Sequence, residues 1–286
     1  MAKVGIFYHP QRDSARIKAG ELEEWLDNKG HHPVQMDENG IEESLDLVVS
    51  LGGDGTMLRA IDKILHMPLP IPVLGVNFGS LGYLTECDPD GLFSALQNFF
   101  DGQYLIDERM TLSIDVETAD PTVESSESRN ILYKHYLALN DLVVEKLDSG
   151  HVIRVEVHLG TEQFLTYEAD GLIISSPTGS TAYSFSARGP VVSPHLQAMI
   201  LTPISPHMLF DRSLVLEPSE TVELRMAEGP PAAVMIDGSR KAIIEPGDLV
   251  KCSANHTPAR LVTFSTRDFH QILKKKFGLQ SKHMGD

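Results

Sequence analysis

In the first hundred residues, short continuous apolar runs alternate with stretches in which apolar residues recur at helical spacing. Residues 4–8, 46–51 and 71–76 are short apolar runs, which are typical of strands buried on both faces of a parallel sheet. Between them, apolar residues recur at helical spacing, and the pattern predicts helices over 13–28, 56–65 and 89–100. This alternation predicts an α/β domain of Rossmann-like type over residues 1–107.

The pattern changes beyond Asp107, where helical spacing nearly vanishes and short strands follow one another between turns. It predicts a second, mostly antiparallel β domain over 108–265, and a C-terminal helix within 266–286 that packs back on the first domain. An acidic, aperiodic stretch between Thr118 and Asn130 predicts a mobile hairpin loop without chemistry. The expected strands of the second domain are 111–118, 133–145, 152–159, 163–167, 171–175, 213–217, 221–226, 233–236 and 249–253.

Composition narrows the class of function. The 286 residues carry 24 Lys and Arg against 40 Asp and Glu, a formal charge of −16, which disfavours nucleic acid and anionic membranes as partners. No apolar run reaches the roughly 18 residues of a membrane span, and the N-terminus has no signal-peptide pattern, so the sequence predicts a cytoplasmic protein. Two isolated cysteines, Cys87 and Cys252, provide neither a disulfide framework nor a Cys-based metal site.

One glycine-rich motif stands where ligands bind in an α/β sheet. The run 51–56, LGGDGT, follows a buried strand and opens a helix, and this is the edge at which helix N-termini meet anions. Glycines let a backbone approach a phosphate, and here they flank the carboxylate of Asp54. The alternative is a tight turn with Asp54 as helix cap, which needs one or two glycines rather than three.

Two further polar segments are candidates. The run 170–186 leads from an apolar strand into hydroxyl residues around Gly179, which suits a phosphate or a ribose but equally suits a helix-capping turn. The pair Asn140 and Asp141 interrupts an apolar stretch and indicates either a ligand contact or a bulge. P-loop, G-x-G-x-x-G, G-x-S-x-G and H-E-x-x-H signatures are absent.

Together with the turn 77–82, NFGSLG, these segments resemble the NAD kinase family in order and approximate spacing, from Val4 to about Phe277. The GGDG run alone is shared with phosphofructokinases and with diacylglycerol and sphingosine kinases, whereas the run TGSTAY after Asp-Gly is far more specific. The resemblance implies a two-domain fold and ATP-dependent phosphorylation of the 2′-hydroxyl of the adenosine ribose of NAD, which gives NADP.

The resemblance also assigns roles to residues. It implies that Asp54 is the catalytic carboxylate, that Asn140 and Asp141 contact NAD, and that no protein side chains form a dedicated metal site. A divalent cation, Mg²⁺ by its chemistry, is expected on the phosphates of ATP. Residues expected to bind the nucleotides are Gly53, Gly55, Arg59, Phe78, Asn140, Asp141, His151, Glu168, Asp170, Thr178, Thr181, Ala182, Tyr183, Ser186 and Ser239.

Two residues depart from the family pattern. Arg188 stands where the family usually has glycine, and Ser239 stands where glutamine is common. ATP, another triphosphate or polyphosphate remain open as donors, and the family's habit predicts a homodimer or homotetramer. The alternative functions are a lipid kinase of the diacylglycerol type, disfavoured by the negative charge, and a non-catalytic dinucleotide-binding regulator, disfavoured by the intact Asp54.

Overall fold

The computed structural model describes residues 1–37, 44–79, 82–119, 131–266 and 268–278. The chain divides into two compact units, Met1–Glu108 with Ala259–Asp286 and Arg109–Pro258. Residues 120–130, which hold most of the predicted mobile loop, lie outside the described residues. In the described part of the chain, no helix is both long and apolar enough to cross a bilayer.

As predicted, helices and strands alternate in the first hundred residues, and strands predominate after them. The helices are α1 (Asp13–Asn28), α2 (Asp54–Ile64), α3 (Leu92–Phe100), α4 (Tyr183–Ser186) and α5 (Phe269–Phe277), with a 3₁₀ turn at Thr178–Thr181. The strands are β1 (Lys3–Tyr8), β2 (His32–Gln35), β3 (Leu47–Gly52), β4 (Pro72–Asn77), β5 (Leu105–Ala119), β6 (Ile131–Ala138), β7 (Asp141–Lys146), β8 (Ile153–Leu159), β9 (Glu162–Ala169), β10 (Gly171–Ser175), β11 (Met199–Ile204), β12 (Leu214–Leu216), β13 (Thr221–Glu228), β14 (Ala232–Ile236), β15 (Ser239–Ile244) and β16 (Leu249–Thr263).

The first unit is built on a parallel sheet with the strand order β2-β1-β3-β4. The end of β16 adds a further parallel strand beside β4. All six residues of β3 are buried, as its apolar sequence predicts, and leucines of α1 and α3 pack into the same core. Because the chain goes from β1 to β2 on one side and from β3 to β4 on the other, the strand order reverses between β1 and β3. Open α/β sheets bind ligands at such a reversal.

The second unit contains antiparallel sheets over one shared hydrophobic core. One sheet has the order β12-β11-β10-β7-β14-β15. The other joins β13, β8 and β9 to the first part of β16, with β5 paired to β16 and to β6. Alternate residues of β5, from Met110 to Val116, point into the core, as expected of strands with one buried face. The predicted fold class, α/β followed by mostly antiparallel β, is confirmed.

Two predicted elements differ in detail. The stretch predicted as one strand over 133–145 is split into β6 and β7 at Leu139 and Asn140, because the Asp237 carboxylate accepts the backbone N–H groups there. Strand β2 was not predicted, since its four residues include a proline and lack an apolar run.

Candidate active site

A pocket of about 450 Å³ lies at the reversal between β1 and β3. The loop after β1 forms one wall and the loop from β3 into α2 forms the other. Both loops follow the carboxyl ends of parallel strands, so the sheet itself brings them together. The lining residues are His9, Pro10, Gln11, Arg12, Gly52, Gly53, Gly55, Thr56 and Arg59.

Two glycines of this loop are not required by the fold. Neither Gly53 nor Gly55 has a positive φ, and a Cβ built on either would meet no atom within 4 Å. Gly52 differs, because a Cβ there would lie 2.1 Å from Thr56 Oγ1. Gly53 and Gly55 therefore serve neither backbone conformation nor packing. Their missing side chains leave the backbone at the start of α2 open to the pocket, which is what an anion bound at a helix N-terminus needs.

Arginines supply the positive charge of this pocket. Arg59, predicted from the sequence, lines it from α2, with its guanidinium 5.8 Å from the centre of the Phe7 ring. Arg12 lines it from the loop after β1, and its Nη1 donates to the carbonyl oxygen of Phe78. Phe78 in turn donates its backbone N–H to the carbonyl of Gly52 at 2.6 Å. The predicted residues Gly53, Gly55, Arg59 and Phe78 are thus brought together.

Asp54 is the first residue of α2, and backbone amides fix its carboxylate. Oδ2 accepts the N–H of Tyr83 at 2.7 Å, and Oδ1 accepts the N–H of Leu84 at 3.0 Å. The turn approaches this closely because residue 82 is glycine: a Cβ there would lie 2.2 Å from Asp54 Oδ1. Each carboxylate oxygen can accept a second hydrogen bond, and the side chain keeps 28% of its surface exposed. Asp54 is therefore oriented and still accessible.

A second cluster, in the second unit, is built around Asn140 and Asp141. The Asp237 carboxylate accepts the backbone N–H of Leu139, Asn140 and Asp141 at 2.7 to 3.1 Å and so fixes the turn between β6 and β7. Gly179 closes on the same turn, since a Cβ there would lie 2.0 Å from the carbonyl oxygen of Asn140. Within the described residues the side-chain amide of Asn140 has no hydrogen bond, which leaves it available to a ligand.

Asp141 is a buried carboxyl group. Its exposed fraction is 4%, and burial followed by the nearby charge of Asp237 raises its pKa to about 7. A hydrogen bond from the backbone of Tyr183 acts in the opposite direction. The group therefore changes protonation near neutral pH and can act as a hydrogen-bond donor as well as an acceptor.

The hydroxyl-rich run after β10 folds as the 3₁₀ turn and the short helix α4. Ser176 Oγ donates to the carbonyl of Leu139 and accepts the N–H of Gly179, which ties this run to the Asn140 turn. Thr178 is buried and its Oγ1 accepts a bond from Arg109, while the Thr181 hydroxyl bonds back to the carbonyl of Thr178. These hydroxyl groups therefore form hydrogen bonds within the turn itself.

Tyr183 presents its ring at the surface of this cluster. Its hydroxyl donates to Glu145 at 3.3 Å, and burial, followed by Glu145, raises its pKa. Asp170 pairs with Lys146 on the neighbouring strand β7. With the exposed residues Ser186 and Arg188, Tyr183 lines a pocket of about 520 Å³ whose other walls come from residues 203–206 and 211–213.

Three predicted residues have no side-chain hydrogen bond or ion pair to this cluster among the described residues. His151 is exposed before β8. The Glu168 carboxylate forms an ion pair with Arg154 at 2.6 Å. Ser239 is exposed at the start of β15. Their roles as ligand contacts stay predictions, as do those of the other candidates.

Sequence reasoning overlooked three residues. Arg12 follows the first strand, a position that the strand order makes a ligand wall, so its place after β1 was a usable signal. Asp237 acts through the backbone and has a positive φ of 46°, for which no sequence signal existed. Lys276, in the last turn of α5, lies 3.8 Å from Asp54 Oδ2.

Comparison with known proteins gives the same assignment for both halves of the chain. Residues 38–104 match the ATP-NAD kinase N-terminal domain, and residues 139–264 match the ATP-NAD kinase C-terminal domain. A NAD kinase of Heliobacterium modesticaldum is 40% identical over 96% of this chain and 98% of its own length. A NAD kinase of Geobacter metallireducens is 35% identical over 96% and 98%.

Solved structures share the fold. A yeast NADH kinase complexed with NADH superimposes with a TM-score of 0.83 at 23% identity, over 100% of this chain and 90% of that one. A NAD kinase from Archaeoglobus fulgidus in complex with ATP gives a TM-score of 0.72 at 25% identity, over 96% and 97%. With both domain models matched and a relative at 40% identity over 98% of its own length, this chain belongs to the NAD kinase family.

Proposed function

We propose that this protein transfers the terminal phosphoryl group of ATP to the 2′-hydroxyl of the adenosine ribose of NAD, with Asp54 as the group that accepts the hydroxyl proton. Family membership makes it a kinase that converts NAD to NADP. The roles of individual residues follow the resemblance described above and are proposals for this chain.

The observation that carries the proposal is the pocket at the start of α2. Gly53 and Gly55 have no structural need to be glycine, yet they line a pocket that also holds Arg12 and Arg59. Open backbone amides at a helix N-terminus and two guanidinium groups form a site for a polyanion such as a triphosphate. Asp54 lies between these two glycines in the sequence and is oriented by Tyr83 and Leu84.

Each residue has a simple part in the transfer. The hydroxyl oxygen attacks the γ-phosphorus, the bond between that phosphorus and the bridging oxygen breaks, and ADP leaves. Asp54 orients the hydroxyl and accepts its proton, and this proton can pass late because the transition state of phosphoryl transfer is loose. In the second unit, we infer that the amide of Asn140, the carboxyl of Asp141 and the ring of Tyr183 bind the dinucleotide.

A divalent cation is part of this proposal. No group of three or more His, Cys, Asp or Glu side chains converges as a cation site anywhere among the described residues. We infer an ion held mainly by the phosphate oxygens of ATP, near the Asp54 carboxylate. Bound Mg²⁺ would neutralise charge on the phosphates.

Removal of the metal tests that part. We expect excess EDTA to lower NADP formation below detection and added Mg²⁺ to restore it, because ATP and NAD are both anions and the chain carries a charge of −16. Calcium-loaded EDTA is the control for the chelator itself. Turnover that persists in EDTA would contradict the requirement.

A single assay separates the functions considered. NADP formation from NAD and Mg-ATP is measured beside phosphorylation of diacylglycerol and beside a titration of NAD binding without ATP. We expect NADP formation and no lipid product. The family matches give the lipid kinase no support. Binding of NAD without turnover would instead indicate a non-catalytic regulator. The cytoplasmic location and self-association expected from the sequence stay predictions.

A further inference from the structure

The C-terminal helix α5 reaches the candidate catalytic carboxylate. The Asp268 side chain caps its start by accepting the N–H groups of His270 and Gln271, and Gly278 ends it in the left-handed conformation with a φ of 62°. None of its side chains is buried. Phe269, Ile272 and Leu273 are half-buried, so hydrophobic packing holds α5 only in part, and a nine-residue helix is marginal on its own.

One side chain of α5, Lys276, contacts the Asp54 site. Its Nζ lies 3.8 Å from Asp54 Oδ2 and 4.0 Å from the centre of the Tyr83 ring. The backbone N–H of Tyr83 donates to the same carboxylate oxygen. Tyr83 thus orients the carboxylate with its backbone and the ammonium group with the face of its ring.

These contacts are weak as stabilising interactions. Lys276 and Asp54 keep 30% and 28% of their side-chain surfaces exposed, and ion pairs of this kind contribute little to stability. A cation over a partly exposed ring adds little more. The arrangement nevertheless fixes one positive charge beside the group to which we assign proton transfer.

The positive charge of Lys276 has a role in the chemistry of phosphoryl transfer. When Asp54 accepts a proton from the ribose hydroxyl, the reacting phosphorus must lie about 3–3.5 Å from the hydroxyl oxygen. A non-bridging oxygen of the phosphoryl group then comes within reach of Lys276 Nζ, which is a compact charge with three donors on a flexible stem. Preorganised cations at the point where charge develops are the main contribution of proteins to phosphoryl transfer.

We propose that Lys276 is a further catalytic residue, whose ammonium group binds a non-bridging oxygen of the phosphoryl group during its transfer. This inference rests on the proposed function. It assigns separate tasks to the cations of the first unit. Arg12 and Arg59 line the pocket that we assign to the triphosphate, whereas Lys276 stands at the carboxylate.

The test uses the full-length protein and three variants. Lys276→Ala removes the charge, Lys276→Arg keeps it, and Lys275→Ala removes a matched charge from the same exposed turn of α5. We expect Lys276→Ala to lower kcat for NADP formation by about 10- to 100-fold with the KM for NAD within about twofold of wild type. Lys276→Arg should recover part of kcat, and Lys275→Ala should match wild type.

Each other outcome would overturn the inference. Equal kcat for Lys276→Ala and Lys275→Ala would show that Lys276 is only a surface charge. A higher kcat for Lys276→Ala would show that the lysine competes with the substrate for Asp54 and inhibits the enzyme. Circular dichroism and thermal unfolding of each variant control for folding. Absence of NADP from the wild-type protein itself would instead overturn the proposed function and this inference with it.

Discussion

The two units hold their functional carboxylates in opposite ways. Asp54, in the first unit, is partly exposed, accepts two backbone N–H groups and has a lysine 3.8 Å away. Asp141, in the second unit, is buried, lies near the like charge of Asp237 and has a pKa raised to about 7. Asp54 and Asp141 both lie at the ends of buried strands, but their electrostatic surroundings differ.

The difference separates proton transfer from recognition. An oriented, accessible carboxylate suits a group that accepts a proton from a substrate hydroxyl. A buried carboxyl that is protonated part of the time suits hydrogen bonding to a neutral part of a ligand, where shape and donor pattern matter more than charge. We therefore expect substitutions at the two positions to affect different measured quantities.

Asp54→Asn tests the first half of this comparison and has the largest expected effect. We expect kcat to fall by about 10²- to 10⁴-fold, because the amide cannot accept the hydroxyl proton. NAD affinity, measured by titration without ATP, should stay close to wild type. The free energy of unfolding should change by no more than about 1 kcal/mol, since the side chain is partly exposed at a helix start.

Asp62→Asn, on the same helix, is the matched control for Asp54→Asn and should keep wild-type turnover. If Asp54→Asn also kept most of its turnover, Asp54 would be a turn-forming residue and the comparison with Asp141 would lose its basis.

Asp141→Asn tests the second half through the pH dependence of stability. A carboxyl whose pKa rises from about 4 in the unfolded chain to about 7 in the folded protein binds more protons when folded. Its contribution therefore makes the wild-type protein lose stability as pH rises between those values. The slope is at most about 1.4 kcal/mol per pH unit, and it levels off above pH 7.

Asparagine cannot ionise, so that slope should be smaller in Asp141→Asn, as measured by urea unfolding at a series of pH values. Asp148→Asn, in the exposed loop after β7, is the control and should keep the wild-type slope. An unchanged slope in Asp141→Asn would show that Asp141 is ionised in the folded protein across this range.

Arg188→Gly has the smallest expected effect. It tests whether backbone strain at Arg188, in the second unit, lowers the free energy of unfolding. Arg188 has a φ of 67°, a conformation that disfavours residues with a Cβ, and it lines the pocket beside Tyr183. Glycine should raise the free energy of unfolding by about 0.5–1 kcal/mol in urea titration, because the strain is relieved.

Arg212→Gly, at a position without a positive φ, is the control for Arg188→Gly. It should give no gain, since glycine there only adds freedom to the unfolded chain. A loss of stability in Arg188→Gly would mean that contacts of the arginine side chain outweigh the strain.

The fold class and the glycine-loop candidates were accessible to sequence reasoning because their signals are local. A fully apolar strand such as β3 must be buried, and the loop after such a strand must stand at the edge of the sheet where ligands bind. The same reasoning failed for β2, which is short and half-exposed, and for the split at Asn140, which depends on a carboxylate 97 residues later in the chain.

Candidate residues of the second unit were harder to judge from sequence. The run around Gly179 combined two roles that a sequence cannot separate: Ser176 and Thr181 bond to the turn itself, whereas Tyr183 and Ser186 line a pocket. Only the hydrogen bonds of the folded chain distinguish a hydroxyl group that bonds to the turn from one that is available to a ligand.

The succession of helices and strands, the position of the GGDG loop and the family to which the chain belongs were determined by the sequence, since hydrophobic period and motif spacing act over a few residues. Tertiary structure decided which charges meet. Lys276 is 222 positions beyond Asp54 and Asp237 is 96 beyond Asp141, and no local pattern encodes such pairs. Electrostatic energy depends on distance in space and on burial, and both are set only when the whole chain has folded.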